Sequence, residues 1–183
     1  MNRWLVLERD GVINTRKDNG ILEFADWQPL DGSLEAIAKL SRAGYKLVIA
    51  MNVSAVGRGL ITEQALKDVH EKMLEQIQLA GGKIQGVFFC PHLPEQHCDC
   101  RKPRTGLLER IEQTFGIELE GCYCVGDSLR DIQMAKAKGC KAVLVRTGNG
   151  TQTETTTLVW PRYGKDTTVF DDLNAFADHL LQG

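Results

Sequence analysis

The segment Trp4–Asn14 reads Trp-Leu-Val-Leu-Glu-Arg-Asp-Gly-Val-Ile-Asn, and it carries the clearest indication of the fold. Its leading apolar run, Trp4–Leu7, suits a short strand that is buried on both faces of a parallel sheet. Glu8 and Asp10 follow directly, and in an extended chain two carboxylates at this spacing point to the same side. Gly11 then lets the backbone turn. The stretch predicts paired acids at the carboxyl edge of a sheet, where open α/β folds bind ligands; the alternative is a strand end with solvated acids.

Further apolar runs repeat this pattern along the chain. They lie at 47–51, 87–89, 122–125, 142–145 and 169–170. The intervening segments carry apolar residues at helical spacing, as in the helix capped by Thr62, whose core face is Leu66, Val69, Met73 and Ile77. Strands that alternate with helices predict an α/β fold with a doubly wound, mostly parallel sheet and helices on both faces.

Helix ends and loops are predicted from their polar residues. Asp31 or Ser33 is expected to cap the first helix, and Ser128 with Asp131 has the spacing of a capping box. The polar, threonine-rich segment 147–157 is expected to be a loop. No Gly-x-Gly-x-x-Gly motif follows the first strand, so the sequence does not support a dinucleotide site.

Composition bounds the class of protein. A length of 183 residues predicts one domain over 1–183, and the net charge of −2 does not favour nucleic acid or membrane as a partner. No apolar run reaches the length of a membrane span, and the N-terminal run is too short for a signal peptide. A cytoplasmic protein is therefore expected. Three of its cysteines, Cys122, Cys124 and Cys140, lie beside predicted strands and are expected to be buried small hydrophobic residues.

The other cysteines crowd into one loop with histidine. Cys90, His92, Cys98 and Cys100 offer three thiolates and an imidazole, the ligand set that tetrahedral zinc prefers. Four protein ligands close the site to water, so the predicted zinc is structural. His97 competes with His92 as the imidazole ligand, and a loop with unrelated free thiols is the alternative to a zinc site.

Charged residues follow this loop and the fourth predicted strand. A loop held by zinc would place Lys102, which follows Arg101, opposite the acids of the first strand, and this arrangement suits a bound phosphate. Asp127 follows the fourth strand and is expected at the same sheet edge. Three carboxylates at one edge repel one another unless a cation lies among them, and Mg²⁺ prefers oxygen ligands and bridges to phosphate. Asp131, one helical turn later, is a supporting acid or only a cap.

These motifs, taken together and in this order, resemble the haloacid dehalogenase superfamily of phosphatases. They include Asp-Gly-Val-Ile-Asn at 10–14, Cys-Arg-Lys-Pro at 100–103 and Val-Gly-Asp-Ser at 125–128. More closely, the chain is similar to the D-glycero-D-manno-heptose 1,7-bisphosphate phosphatases, which are related to the histidinol-phosphate phosphatases. The similarity covers about residues 4–150. It implies a Rossmann-like sheet with a small zinc-stabilised loop and no large cap domain.

The resemblance also implies roles for the site residues. The carboxylate of residue 8 attacks phosphorus, and Asp10 protonates the leaving oxygen and later activates water. Mg²⁺ is held by the carboxylate of Glu8, the backbone carbonyl of Asp10 and the carboxylate of Asp127. Lys102 neutralises the phosphoryl oxygens.

Substrate contacts are implied for a second set of residues. Asn52 and Ser54 from the motif Met51–Ala55 help to bind the transferred phosphoryl group. Arg101 and the loop that follows Asn14 contact the sugar or its distal phosphate. The implied substrate is a phosphorylated sugar, and a monomer is expected.

The resemblance implies a Mg²⁺-dependent hydrolase that removes the 7-phosphate of the heptose bisphosphate, a precursor of ADP-heptose and the lipopolysaccharide core. The chain departs from the family at residue 8, where the nucleophile is Glu8 instead of Asp. It also departs in the second motif, where Met-Asn-Val-Ser-Ala at 51–55 stands in place of Thr-Asn-Gln-Ser-Gly. An alternative is therefore a catalytically impaired or inactive relative that binds a sugar phosphate or a protein partner without turnover. An unrelated zinc-stabilised interaction module is the third reading.

Overall fold

A computed structural model describes residues 3–159 and 161–183, and the side chains of 157–162 lie outside the description. The described strands form one six-stranded parallel sheet in the order β3-β2-β1-β4-β5-β6. The strands are β1 Trp4–Leu7, β2 Lys46–Asn52, β3 Ile84–Cys90, β4 Tyr123–Gly126, β5 Lys141–Val145 and β6 Thr168–Phe170. The predicted parallel sheet is confirmed.

Helices connect successive strands. They are α1 Ser33–Arg42, α2 Ser54–Gly57, α3 Glu63–Leu79, α4 Gly106–Phe115, α5 Leu129–Ala137, α6 Gly150–Val159, α7 Pro161–Gly164 and α8 Leu173–Gln182. Short 3₁₀ turns lie at Phe24–Asp26 and Pro94–Gln96. Within the described ranges, no helix combines the length and the apolar character that crossing a bilayer requires.

Strand β1 lies inside the sheet and is buried on both faces. Leu5 and Leu7 pack into the core on the side of α1, α3 and α8, whereas Trp4 and Val6 pack into the core on the side of α4 and α5. Alternate residues of a strand point to opposite faces of the sheet, and here helices cover both faces. All four side chains are therefore buried. This confirms the prediction made from the continuous apolar run.

The strand order also locates the crevice in which a ligand could bind. The chain proceeds from β1 to β2 and β3 on one side of the sheet, then crosses to β4, β5 and β6 on the other. Ligands of open α/β sheets bind at the carboxyl ends of the strands where this order reverses. Glu8, Asn52 and Asp127 lie at or directly after the ends of β1, β2 and β4, so they surround that point.

The threonine-rich segment was expected to be a loop, and this prediction was wrong. Residues 150–159 form α6. Threonine has a low helix propensity because its β-branched side chain is restricted, but here its hydroxyls bond to carbonyl groups. Thr155 and Thr156 donate to the carbonyls four residues earlier at 3.3 and 3.2 Å, and Thr153 donates to the carbonyl of Asp127 at 2.8 Å. Tertiary contact with Asp127 thus helps to hold this helix.

The helix caps agree with the sequence in part. Thr62 caps α3 by accepting from the amide of Ala65 at 3.1 Å, and the amide of Ser128 donates to the carboxylate of Asp131 at 3.0 Å. Neither expected residue caps α1. Gly32 is the N-cap, with a φ of 74°, while the hydroxyl of Ser33 donates to the carbonyl of Ile13 at 2.7 Å.

Candidate active site

A buried lysine lies between two carboxylates at the end of β1. The Nζ atom of Lys102 is 2.8 Å from Oε2 of Glu8 and 2.8 Å from Oδ1 of Asp131, and the lysine side chain is only 3% exposed. Asn52 holds the lysine backbone, because its Oδ1 accepts from the amide of Lys102 at 3.0 Å and its Nδ2 donates to the carbonyl at 3.3 Å. The other Glu8 oxygen, Oε1, accepts from the amide of Arg9 at 2.8 Å. Both oxygens of the residue-8 carboxylate are therefore held in place.

Burial and charge act in opposite directions on this cluster. Burial raises the pKa of Glu8 to about 7, against the lowering effect of Lys102, and nearby Asp131 and Asp10 raise it further. Burial alone would lower the pKa of Lys102, but the two carboxylates raise it well above its usual range. The carboxyl of Asp131 is also buried, yet Lys102 and the hydrogen bonds from Ser128 lower its pKa. The lysine therefore stays charged, and it stabilises the ionised form of both acids.

Asp10 is clamped by its neighbour. Arg9 donates from Nε to Oδ1 of Asp10 at 2.8 Å and from Nη2 to Oδ2 at 3.1 Å, and Asn14 donates to Oδ1 at 3.0 Å. Arg9 is itself buried and contacts Nε2 of His70 through Nη1 at 2.9 Å. Burial lowers the pKa of His70 to about 3, with help from Arg9, so the imidazole is neutral and accepts this hydrogen bond. His70 thereby orients the guanidinium that orients Asp10.

Asp127 is completely buried, and its oxygens meet a guanidinium. Nη1 of Arg16 lies 3.2 and 3.1 Å from the two carboxylate oxygens of Asp127 and 3.1 Å from the backbone carbonyl oxygen of Asp10. The amide of Asn149 donates to Oδ2 of Asp127 at 2.8 Å. Burial raises the pKa of Asp127, and Arg16 opposes this.

Two glycines make room for this carboxylate. A Cβ atom on Gly11 or Gly148 would lie 2.1 or 2.3 Å from Oδ2 of Asp127. Both residues also have a positive φ, 85° and 59°, which favours glycine. The oxygen cradle around Arg16 thus depends on glycine at both positions.

The pocket lined by the carboxylates lies next to a larger cavity that is lined by cations. Glu8, Asp10, Lys102 and Asp131 line a pocket of about 30 Å³. A neighbouring cavity of about 230 Å³ shares several of its lining residues with this pocket. The cations that line the larger cavity are Arg9, Arg16, Lys17, Arg58, Arg101 and Arg130. The arrangement can accept one anion beside Glu8 and a second anionic group further out.

The second motif supports the lysine loop. Besides the two bonds of Asn52 to Lys102, the hydroxyl of Ser54 accepts from Nη1 of Arg101 at 3.0 Å. Arg101 also donates to the carbonyl of His92 at 3.0 Å. Met51 is buried in the core and 1% exposed. Both polar residues expected to bind substrate therefore also position the segment that carries Lys102.

The cysteine-rich loop brings four ligand atoms together. The ligand atoms of Cys90, His92, Cys98 and Cys100 all lie within 4.8 Å of one another. Among the described residues, this is the one group of His, Cys, Asp or Glu side chains that is close enough to hold a metal ion. Neighbouring atoms are 3.3–3.6 Å apart, close to the edge of a tetrahedron with metal–ligand bonds of about 2.0–2.3 Å. His97 does not join the cluster. The geometry thus fits zinc, with His92 as the imidazole.

The remaining cysteines behave as expected. Cys122, Cys124 and Cys140 are buried in the core, and the thiol of Cys140 donates to the carbonyl of Leu119 at 3.1 Å. All six cysteines lie among the described residues, and none of them forms a disulfide. The prediction of small buried hydrophobic residues is confirmed.

Three residues of the site were not singled out from the sequence. Arg9 stands between Glu8 and Asp10 in the first motif, and a cation between two acids is a local pattern that indicates an ion pair with one of them. Arg16 lies in the loop that is expected to contact substrate, and His70 lies in the predicted helix that follows Thr62, so neither residue stands out by a motif of its own. The chain separations of 111 residues between Arg16 and Asp127 and of 61 between Arg9 and His70 give no local signal for either contact.

Comparison with known proteins agrees with this geometry. Residues 99–176 match the HAD-hydrolase-like family model. The chain is 41% identical over 178 residues to D-glycero-beta-D-manno-heptose-1,7-bisphosphate 7-phosphatase of Pseudomonas aeruginosa, with 97% of each protein covered. The corresponding protein of Neisseria meningitidis is 40% identical over 182 residues, with 97% of this chain and 94% of that protein covered.

Solved structures show the same relationship. The D,D-heptose 1,7-bisphosphate phosphatase of B. bronchiseptica, complexed with magnesium and phosphate, superposes with a TM-score of 0.91 at 40% identity over 98% of both chains. The phosphatase of the same name from Burkholderia thailandensis has a TM-score of 0.75 at 38% identity over 99% of both chains. The chain therefore belongs to the haloacid dehalogenase superfamily, in the family of the heptose-bisphosphate phosphatases, and is a phosphomonoesterase.

Proposed function

We propose that this protein removes the 7-phosphate from D-glycero-β-D-manno-heptose 1,7-bisphosphate in a Mg²⁺-dependent reaction, and does so slowly. The observation that carries the proposal is the Glu8–Lys102–Asp131 cluster, which lies beside Asp10 at the entrance to a cationic cavity. Relatives at about 40% identity bear the name of this activity. The proposed working form is a single-domain cytoplasmic monomer that supplies a heptose precursor of the lipopolysaccharide core.

In the proposed reaction, the chain supplies the nucleophile and the proton carrier. A Glu8 oxygen attacks phosphorus, the bond from phosphorus to the sugar oxygen breaks, and that oxygen takes a proton from Asp10. Water then loses a proton to Asp10, attacks the acyl phosphate on Glu8 and releases inorganic phosphate. Lys102 neutralises the phosphoryl oxygens throughout. Arg9 lowers the pKa of Asp10 although burial raises it, which favours the base role of Asp10 over its acid role.

The oxygen atoms near Asp127 support a site for Mg²⁺. Its two carboxylate oxygens and the carbonyl oxygen of Asp10 converge on one cationic atom, Nη1 of Arg16, so the cradle already accommodates positive charge. Oxygen donors of this kind suit Mg²⁺, which when bound neutralises phosphate charge. The proposed ligands are these oxygens and the carboxylate of Glu8, and the B. bronchiseptica relative was solved with magnesium and phosphate.

The outer cavity supports a substrate with a second phosphate. Arg58, Arg101 and Arg130 line it, and Arg101 is held by the hydroxyl of Ser54. Guanidinium groups bind phosphate through paired hydrogen bonds. We assign the distal phosphate of the sugar to this cavity.

The proposed substrate is tested by measuring phosphate release from the heptose bisphosphate in Mg²⁺. We expect release of the 7-phosphate only, and a loss of about a hundred- to ten-thousandfold in Asp10→Asn, because Asp10 moves the proton. Asp31→Asn, at an exposed residue that lines neither cavity, is the matched control and should retain the wild-type rate. Wild-type release no faster than that of Asp10→Asn would contradict the proposal. If calorimetry then detects binding of the sugar phosphate, the protein is a relative that binds without turnover.

We also propose that the cluster of Cys90, His92, Cys98 and Cys100 binds one structural zinc ion. The ion would tie down the loop that leads directly to Arg101 and Lys102. Four protein ligands leave no open position for catalysis. This assignment gives the loop a rigid anchor that its few apolar residues do not provide.

Metal analysis of purified protein tests the zinc site. We expect about one zinc ion per chain in the wild type and a loss of zinc in His92→Ala, because an imidazole ligand is removed. His97→Ala is the matched control and should retain zinc, since His97 lies outside the cluster. Chelation should lower the melting temperature by roughly 4–8 °C if it costs about 2 kcal/mol. Equal zinc content in both variants would contradict the assignment.

A further inference from the structure

Arg16 occupies the cation position of the site. All its described hydrogen bonds leave from one atom, Nη1, and reach the Asp10 carbonyl and both carboxylate oxygens of Asp127 at 3.1–3.2 Å. These are three of the oxygens assigned above to Mg²⁺. Among the described residues, Arg16 is the cation that forms an ion pair with the buried carboxylate of Asp127. Arg16 therefore does for Asp127 what a metal ion does in a metal-binding site.

We propose that Arg16 is a tethered cation that competes with Mg²⁺ for the oxygens of Asp10 and Asp127. The inference rests on the Mg²⁺ site of the proposed function and adds a residue that controls its occupancy. Bonds from Mg²⁺ to oxygen are about 2.0–2.1 Å long. An ion at this distance from the same three oxygens would overlap Nη1 and repel its charge. The guanidinium must therefore leave before the metal binds.

The surroundings of Arg16 allow this movement. Its side chain is 35% exposed, while that of Asp127 is fully buried, so the guanidinium has a path to solvent that the carboxylate lacks. The next residues, Lys17, Asp18 and Asn19, are exposed. Arg16 also lines the 230 Å³ cavity, where a displaced guanidinium could meet a substrate phosphate. In this conformation the guanidinium of Arg16 thus fills the position proposed for the metal.

The carboxylate of Glu8, the remaining proposed metal ligand, is also held by groups of the chain. With Arg16 in place, one Glu8 oxygen is bonded to Lys102 and the other to the amide of Arg9. Each carboxylate of the site therefore pairs with a cation of the chain: Lys102 pairs with Glu8 and Asp131, Arg9 with Asp10, and Arg16 with Asp127. A metal ion must replace a charge-assisted contact, and such contacts correspond to about ten- to a hundredfold in a binding constant.

Calorimetric titration with MgCl₂ alone, without substrate, tests the competition. We expect Arg16→Gln to bind Mg²⁺ about ten- to a hundredfold more tightly than the wild type, because the competing charge is removed. Lys17→Gln is the matched control: it removes an adjacent exposed charge that does not contact Asp127, and its affinity should equal that of the wild type. Thermal unfolding gives an independent readout. Without metal, Arg16→Gln should melt below the wild type, and Mg²⁺ should raise its melting temperature by the larger amount.

Equal or weaker Mg²⁺ binding by Arg16→Gln, relative to the wild type, would overturn the inference. If this variant folds only when Mg²⁺ is added, at concentrations that leave the wild type unchanged, the competition is supported; failure to fold at any Mg²⁺ concentration counts against it. Asp127→Asn separates the two proposals. If this variant retains wild-type Mg²⁺ affinity, the metal site itself is wrong. None of these measurements depends on turnover, so slow catalysis does not affect the outcome.

Discussion

Glu8→Asp will raise the rate of phosphate release by about a hundredfold or more. The substitution removes one methylene, which moves the carboxylate by about 1.5 Å. In-line attack depends on the position of the nucleophile, and a displacement of roughly 1 Å can change the rate on the order of a hundredfold. In the wild type, both Glu8 oxygens are held, one by Lys102 and one by the amide of Arg9. Under the proposed mechanism these two contacts fix the longer side chain of Glu8, and Asp would hold its carboxylate closer to the backbone.

The measurement is steady-state phosphate release from the heptose bisphosphate, with Glu8→Gln as the control. Gln has nearly the same size but no nucleophilic charge, so its rate should fall below that of the wild type. If Glu8→Asp is no faster than the wild type, the residue-8 geometry does not limit the reaction. Activity that appears only in Glu8→Asp would identify the wild type as a relative that binds without turnover.

Lys102→Met will destabilise the folded protein by about 3–5 kcal/mol at pH 7.5. The substitution leaves the carboxylates of Glu8 and Asp131 buried without their shared cation, and breaking a buried ion pair from one side has a cost of this size. The loss corresponds to a drop of roughly 6–20 °C in melting temperature for a chain of this length. Urea unfolding at equilibrium measures it directly.

Lys138→Met is the matched control for this loss. Lys138 pairs with Glu112 at 2.7 Å, but their side chains are 25% and 20% exposed, so solvent screens the pair. Its removal should cost no more than about 1 kcal/mol. A similar loss in both variants would show that burial of the Lys102 cluster has no special energetic consequence.

The pH dependence gives a second check on Lys102→Met. Burial raises the pKa of Glu8 from 4.5 to about 7 even with Lys102 present, and without the lysine its pKa rises further. A folded-state pKa above the unfolded value means that the folded state binds the proton more tightly. The folded protein therefore gains stability relative to the unfolded state as the pH falls from about 7 towards 4.5. Without the lysine the pKa of Glu8 lies above 7, so folded Lys102→Met takes up this proton at a higher pH than the wild type does. Its deficit should therefore shrink as the pH falls towards about 7, and a deficit that stays constant above pH 7 would point to lost packing instead.

Local patterns predicted much of the fold. The apolar run Trp4–Leu7 predicted a strand buried on both faces, and the helical spacing after Thr62 predicted which face of α3 is buried. These predictions succeed because backbone periodicity decides which side chains share a face. The threonine-rich helix α6 was missed because propensity describes an isolated segment, whereas the hydroxyl of Thr153 bonds to Asp127 on a different element.

Local patterns in the sequence predict the alternating strands and helices, the acids that follow strand ends and the four-ligand cluster of Cys90, His92, Cys98 and Cys100, because each pattern involves residues that are close along the chain. The pairing of each cation with its acid is visible in the tertiary structure alone. Lys102 lies between Glu8 and Asp131, Arg16 reaches Asp127 across 111 residues, and both oxygens of Glu8 are engaged. Contacts of this kind form when packed elements bring distant residues together and burial requires each charge to find a partner.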